Sequence, residues 1–273
     1  MKRILPLLLL LITGATYAQV TTKALKASIT LQMPRTVDDD MPGTRGASVV
    51  WHPLQKKYYA AMAGNIGYPL GVFSATGTLL SDETLNTEVD MRGMWYNPLR
   101  KEIEGNTYND NGWFAYSLNA KGIPVEFKVI LEGMNQPDAQ CVGVFNSFKQ
   151  QVLFLYAGSV YAYDMKGMAV GDPKPIQWGH AKKDGEIDEE ELGITPDAYN
   201  ATALVFTGIK GAELGFLNTI TREIELYNMA DGYLTRRFTL PDDATTNVSF
   251  NFAYANGMFW LFNMETRTWT SYK

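Results

Sequence analysis

The feature that most constrains this chain is a segment that recurs about every 45–50 residues. Val49-Val50-Trp51-His52-Pro53-Leu54-Gln55-Lys56-Lys57-Tyr58-Tyr59 returns as Gly93-Met94-Trp95-Tyr96-Asn97-Pro98-Leu99-Arg100-Lys101-Glu102-Ile103. It returns again as Gly143-Val144-Phe145-Asn146-Ser147-Phe148-Lys149-Gln150-Gln151-Val152. Each copy reads as an apolar strand, an aromatic followed by Asn or His, a turn, a basic residue and a second apolar strand. Weaker copies stand at Val205-Phe206-Thr207-Gly208 and Phe252-Ala253-Tyr254-Ala255-Asn256-Gly257. Anchors on Trp51, Tyr96, Phe145, Phe206 and Ala253 are 45, 49, 61 and 47 residues apart.

A second landmark follows each of the first four anchors: a strand ending in a polar residue, then a turn, usually with Gly. These are Val72-Phe73-Ser74 before Gly77, Phe114-Ala115-Tyr116-Ser117 before Gly122, Tyr161-Ala162-Tyr163-Asp164 before Gly167, and Glu225-Leu226-Tyr227-Asn228 before Gly232. Alternating strands closed by Ser, Asp, Asn and Gly are hairpins. No sustained helical period interrupts them.

Four short antiparallel strands per repeat make one propeller blade, and across roughly residues 24–273 the chain resembles the β-propeller superfamily. The Gly-His and Trp-Asp pair of WD40 repeats is missing, as is the Gly-Gly doublet of kelch repeats. The expected fold class is all-β: a β-propeller of five four-stranded blades, about 51 residues each. The last repeat supplies only three strands, and Ala27-Ser28-Ile29-Thr30-Leu31-Gln32 can complete it, closing the ring from its N-terminal side. A two-sheet sandwich is the other architecture the pattern allows.

Residues 1–18 read as a signal peptide. Lys2 and Arg3 precede a short apolar run, and small residues at Thr16 and Ala18 place cleavage after Ala18. No cysteine follows to carry a lipid anchor, and no later apolar run reaches membrane-spanning length. The expected location is secreted or periplasmic, with residues 19–273 a single propeller domain carrying an acidic insertion near 171–196. Removing the leader leaves 22 basic against 29 acidic side chains, net −7. That balance argues against nucleic acid as a partner. Cys141 is the one cysteine, which excludes an intrachain disulfide and a Cys-based zinc site. It begins a strand and reads as a small buried hydrophobe.

Propeller ligands gather on the face carrying the inter-blade loops and the turns between second and third strands. That face collects Asp38-Asp39-Asp40 through Arg45-Gly46, Glu88-Val89-Asp90-Met91-Arg92-Gly93, and two Gly-Asn pairs at 64–65 and 105–106. The candidate ligand-binding residues are Arg45, Asn65, Tyr68, Asp90, Arg92, Asn106 and Trp113, with Tyr108 nearby. Amides and carboxylates satisfy hydroxyls, guanidinium groups fork onto anions, and rings stack on apolar surfaces. The competing reading makes the Asp–Arg pairs latches between blades and Gly-Asn a turn. Binding predicts a cleft in which Trp113, Tyr68 and Arg92 are exposed. Trp51, Trp95, Tyr96 and Phe145 read as packing between sheets, and His52, Asn97 and Asn146 as turn-fixing residues on the opposite face.

The 61-residue spacing locates the insertion. Its centre, Asp184-Gly185-Glu186-Ile187-Asp188-Glu189-Glu190-Glu191-Leu192, resembles the second half of an EF-hand calcium loop. His180 and Lys182 stand where first-half carboxylates belong, so it reads as a solvated acidic loop rather than a metal site. No phosphate loop or dinucleotide fingerprint implies a cofactor. With His52 and His180 the only imidazoles, no Ser-His-Asp or Cys-His set is indicated. Three readings remain, one of them a purely structural part of a cell-surface assembly. The preferred one is a non-catalytic exported propeller binding a glycan, peptide or partner protein. The alternative is a glycoside hydrolase using paired carboxylates from Asp40, Glu88 and Asp90.

Overall fold

The computed structural model describes residues 20–35, 45–182 and 195–273. The leader, the Asp38–Asp40 run with its flanks, and the acidic stretch 183–194 lie outside the described residues.

Two N-terminal strands, β1 (Thr21–Ala24) and β2 (Ala27–Gln32), precede the repeats. Blade 1 is β3 (Arg45–His52), β4 (Lys57–Ala63) and β5 (Leu70–Ser74), with Leu79 bridging Phe73 at its outer edge. Blade 2 is β6 (Met91–Asn97), β7 (Glu102–Thr107), β8 (Trp113–Leu118) and β9 (Pro124–Leu131). Blade 3 is β10 (Val144–Asn146), β11 (Gln151–Tyr156), β12 (Ser159–Asp164) and β13 (Lys174–Pro175). After β14 (Gln177–Ala181) comes blade 4: β15 (Val205–Phe206), β16 (Leu214–Asn218), β17 (Glu223–Tyr227) and β18 (Tyr233–Thr239). Blade 5 is β19 (Phe252–Ala255), β20 (Met258–Asn263) and β21 (Thr268–Tyr272). The five sheets form a ring, a five-bladed β-propeller.

β2 pairs antiparallel with β21 and supplies the fourth strand of blade 5, closing the ring as the sequence predicts. Two edge strands were not legible. β1 and β14 both run parallel to β18, enlarging blade 4 to six strands. The insertion therefore covers an exposed sheet edge before it becomes the acidic stretch.

Turn chemistry explains why the repeat is visible. Asn97 Oδ1 accepts from the Leu99 and Arg100 N–H groups, and Asn146 Oδ1 accepts from Phe148 and Lys149. His52 Nδ1 accepts from Gln55 in the same place. These side chains fold the backbone over locally. Lys56, Lys101 and Gln150 then sit at φ +52, +60 and +55, equivalent left-handed positions that close three matching turns. Blade 5 instead uses a two-residue Asn256-Gly257 turn, φ +53 and +74, which suits a tight hairpin.

Large aromatic residues fill the spaces between sheets. Trp113, Trp260 and Trp269 are fully buried, and truncating one to Ala costs about 3–5 kcal/mol. Trp113 packs edge-on against Trp95 of its own blade at 5.4 Å and reaches Phe154 of the next at 6.3 Å.

Candidate functional site

The central channel has two ends of opposite character. At the loop end, where the inner strands begin, the pairings confirm one sequence equivalence and correct another. Gly46 faces Met62 and Gly93 faces Asn106, so Arg45-Gly46 and Arg92-Gly93 correspond. Asn106 therefore matches Met62 inside β7, whereas Gly64-Asn65 lies beyond the end of β4. The two Gly-Asn pairs are not counterparts.

Asn106 is buried and spans to blade 3. Its Nδ2 donates to the Cys141 carbonyl at 2.9 Å and to Gln136 Oε1, while its Oδ1 accepts from the Gly143 N–H at 3.0 Å. Backbones approach closely there: a Cβ on Gly93 would lie 2.5 Å from the Gly143 nitrogen. Asn200 and Asn251 act alike, the first donating to the Phe250 carbonyl and the second accepting from Gly46 N–H. These amides latch neighbouring blades.

Asp90 and Arg92 form a two-pronged ion pair, Nη1 to Oδ1 and Nη2 to Oδ2, and Asp90 also accepts from Gly64 N–H at 3.2 Å. The Arg92 guanidinium lies 4.5 Å from the Tyr108 ring centre and 5.6 Å from that of Phe250. Arg45 approaches the same Phe250 ring at 4.8 Å. Both arginines thus converge on a buried ring at this end of the channel. Asn65 is exposed at a turn, and Tyr68 and Trp113 are buried between sheets. The expected cleft with Trp113, Tyr68 and Arg92 exposed is not formed: their exposures are 0%, 2% and 5% for Trp113, Tyr68 and Arg92. Glu88 is exposed, Asp90 has both oxygens engaged, and Asp40 lies outside the described residues.

At the turn end the channel opens into a cavity of about 350 Å³ that draws on all five blades. Its wall carries Trp51, Tyr96, Phe145, Phe206 and Tyr254, each half-buried. Their cross-strand partners show that these are one structural position repeated five times. Four stand one residue before the end of the inner pairing, Trp51 on Tyr58, Tyr96 on Ile103, Phe145 on Val152 and Tyr254 on Phe259, and Phe206 on Leu214 is the last pair of its own. Two of the rings meet the preceding blade, Tyr96 on His52 at 4.6 Å and Phe206 on Phe148 at 5.3 Å, and two meet their own, Trp51 on Tyr58 at 4.6 Å and Tyr254 on Phe259 at 5.0 Å. Pro53, Pro98, Ser147, Thr207 and Asn256 border the mouth. No described side chain lining the cavity carries a charge. Burial raises the pKa of the Tyr96 and Tyr254 phenols, so both stay neutral donors at physiological pH.

This collar was half-legible. The anchors mark four of its members, and Trp51, Tyr96 and Phe145 pack against buried clusters as expected while also facing the cavity; the fifth anchor, Ala253, stands one residue before Tyr254. The short Asn256-Gly257 turn shifts the count by one, so Tyr254 holds the place. The reading of His52, Asn97 and Asn146 as turn-fixing residues agrees with the geometry. Cys141 is buried, its thiol pushed up to about 12 by desolvation, which leaves it inert at neutral pH.

A second cavity, about 540 Å³, lies at the loop end over blades 3 and 4, between Gly158, Trp178, Pro196, Tyr199 and Val248. Tyr199 in its wall donates to Glu225, which Tyr227 and Arg237 also hold. Arg237 continues to the Gly179 carbonyl, so this network fastens β14 to blade 4.

No protein-family model matches the sequence, and no functionally curated protein matches it. Among solved structures, the chain is similar to a glutaminyl cyclase from Myxococcus xanthus, with TM-score 0.53 and 9% identity over 93% of this chain and 98% of that one. It is also similar to the WD40 domain of Neurospora crassa Pan2, with TM-score 0.45 and 9% identity over 92% and 95%. A third is an auxiliary nutrient binding protein from Bacteroides thetaiotaomicron, with TM-score 0.43 and 12% identity over 84% of this chain and 58% of that one. At 9% identity the likeness to the cyclase speaks for the fold alone.

Proposed function

We propose that this protein is an exported, non-catalytic binding propeller that receives an apolar or aromatic side chain of a peptide or protein partner in the turn-end mouth of its channel. The observation that carries this reading is the five-fold aromatic collar, Trp51, Tyr96, Phe145, Phe206 and Tyr254, around an uncharged cavity of about 350 Å³. Ligand cavities run from about 300 to about 1,000 Å³, so this one has room for a single large side chain. Five rings from five blades offer apolar contact on every side, and the Tyr96 and Tyr254 hydroxyls with Asn256 supply a few polar contacts.

A glycan fits less well, because sugar hydroxyls want several carboxylate or amide partners, and Asn256 is the one amide in the lining. The hydrolase alternative needs two free carboxyl groups about 5–9.5 Å apart across a pocket. The cavity lining offers none, and Asp90 is committed to Arg92. The basic, apolar, small-residue order of the leader supports an exported setting.

The test is a peptide array and an oligosaccharide array probed with the wild-type chain and with Trp51→Ala and Tyr254→Ala, each checked for folding by thermal melting. The expected result is a set of peptides with a large apolar residue whose binding falls at least about tenfold in either variant. Oligosaccharide binding that persists in both variants, or turnover of any glycan, overturns the proposal.

A further inference from the structure

The rim of the mouth carries a second repeated signal. After each aromatic, the turns of four blades present a bulky apolar residue and then a lysine: Leu54 with Lys56, Leu99 with Lys101, Phe148 with Lys149, and Ile209 with Lys210. Leu54, Leu99 and Phe148 are 64%, 72% and 56% exposed, Phe148 meeting Phe206 edge-on, while Ile209 is half-buried against the core. The four lysines are exposed as well. Arg100 differs, since it is tied to the buried Glu104 at 2.6 Å. The turns farther out on the same face add Lys121 and Lys166. Among the described residues the carboxylates on this side include Glu102, Asp164, Asp231, which pairs with Lys182 at 3.2 Å, and Glu213, which is buried and occupied by the Gly211 and Met229 N–H groups. The inter-blade loops at the other end carry Glu88, Asp110, Asp138, Asp197 and Glu265. A chain of net charge −5 thus presents a basic face.

Resting on the reading of the collar as a side-chain receptor, we infer that the partner segment is acidic: a polypeptide stretch in which Asp or Glu residues flank the apolar anchor. The central cavity takes the anchor, and Lys56, Lys101, Lys149 and Lys210 meet the flanking carboxylates. Opposite charges around an apolar centre are the usual anatomy of a protein–protein contact, with the rim setting encounter rate and choice of partner. The exposed Leu54, Leu99 and Phe148 select polypeptide over an anionic polysaccharide, whose hydroxyls would be desolvated against them. The concave mouth selects it over a lipid surface, since a flat bilayer would leave the cavity beneath it unfilled.

The test uses the full chain and fluorescein-labelled peptides Glu-Glu-Trp-Glu-Glu, Gln-Gln-Trp-Gln-Gln and Lys-Lys-Trp-Lys-Lys, read by anisotropy. The combined variant Lys56→Gln, Lys101→Gln, Lys149→Gln and Lys210→Gln is compared with wild type. Gln150 already holds the position of Lys56 and Lys101 in blade 3 at the same positive φ, so glutamine suits those turns. The glutamate peptide is expected to bind at least about tenfold tighter than the glutamine peptide at low salt. That advantage shrinks as salt rises from about 0.01 M to about 1 M. In the variant the advantage is lost while the glutamine peptide binds as before. Equal binding of all three peptides that still depends on Trp51 overturns the acidic partner and leaves the collar reading standing. No binding of any peptide, or binding indifferent to Trp51→Ala, overturns the collar reading and this inference with it. Lysine-dependent binding of polygalacturonate or phosphatidylserine vesicles without binding of the glutamate peptide overturns the polypeptide class.

Discussion

The two ends of the channel use opposite chemistry. At the loop end stand the groups usually associated with recognition, an ion pair, three amides and two guanidinium groups on one ring, and most of that chemistry is spent on neighbouring blades. At the turn end stand rings, prolines and small hydroxyls, and there the surface stays open. The difference follows from ring closure. Inner strands begin where sheets crowd closest, so backbone donors and acceptors there must find partners across the gap, and Asn and Arg provide them. Where the strands end, short turns satisfy their own backbone through Asn97, Asn146 and His52, so the rings pack one side on the sheets and leave the other facing the mouth.

Asn106→Ala tests the latch role most severely. It leaves the Cys141 carbonyl, the Gly143 N–H and the Gln136 Oε1 without their Asn106 bonds in a buried site, and a loss of about 3 kcal/mol is expected in denaturant unfolding. Ligand binding at the turn end should be unchanged in the folded fraction. A stable variant that loses its ligand would return Asn106 to the binding site and reverse the comparison.

Asp90→Asn comes next. The amide cannot balance the Arg92 charge, whose side chain is 6% exposed, so stability falls by about 2 kcal/mol in thermal or urea unfolding. If Asp90 were instead a catalytic carboxylate, the variant would stay stable and lose turnover of a glycan. Leu99→Ser works at the other end. Leu99 is 72% exposed, so stability changes by less than about 0.5 kcal/mol, while affinity for an apolar-anchored peptide drops in the same anisotropy measurement.

The architecture was legible because each blade must make the same turn, and one geometry keeps selecting the same residue types. Trp51-His52-Pro53-Leu54 and Tyr96-Asn97-Pro98-Leu99 are alike for that reason. β1 and β14 leave no mark in the sequence pattern, because an edge strand that adds to β18 needs no repeat and little alternation. Arg, Asp, Asn and Trp draw attention by their chemistry, but Trp113 and Asn106 are taken inside to pack and to latch. The five aromatics were visible, yet a strand aromatic gives no sign in one dimension of whether its ring meets a neighbouring sheet or an open channel. Only the pairing register separates the two, and it alone shows Tyr254 to be the fifth member.

The smallest effect concerns His52, the one turn-fixing residue of its kind that can take a proton. Its Nδ1 accepts from Gln55 and its Nε2 faces the Lys101 carbonyl at 3.3 Å, an arrangement suited to a neutral ring with the hydrogen on Nε2. Burial lowers its pKa below the usual 6.5, outweighing the opposing hydrogen bond to Lys101. The unfolded chain then binds the proton more readily than the folded one. Stability from this residue is therefore complete above about pH 6.5 and is lost as the pH falls toward the lower, folded value. Asn97 and Asn146 do the same turn-fixing with a group that does not titrate in this range. His52→Asn should fold normally at pH 7 and lose part of the decline in melting temperature between pH 6.5 and 5, leaving only what the carboxylates contribute. An unchanged pH profile in this variant would mean that the ring reaches solvent when protonated, and that the turn face yields more readily than the latched one.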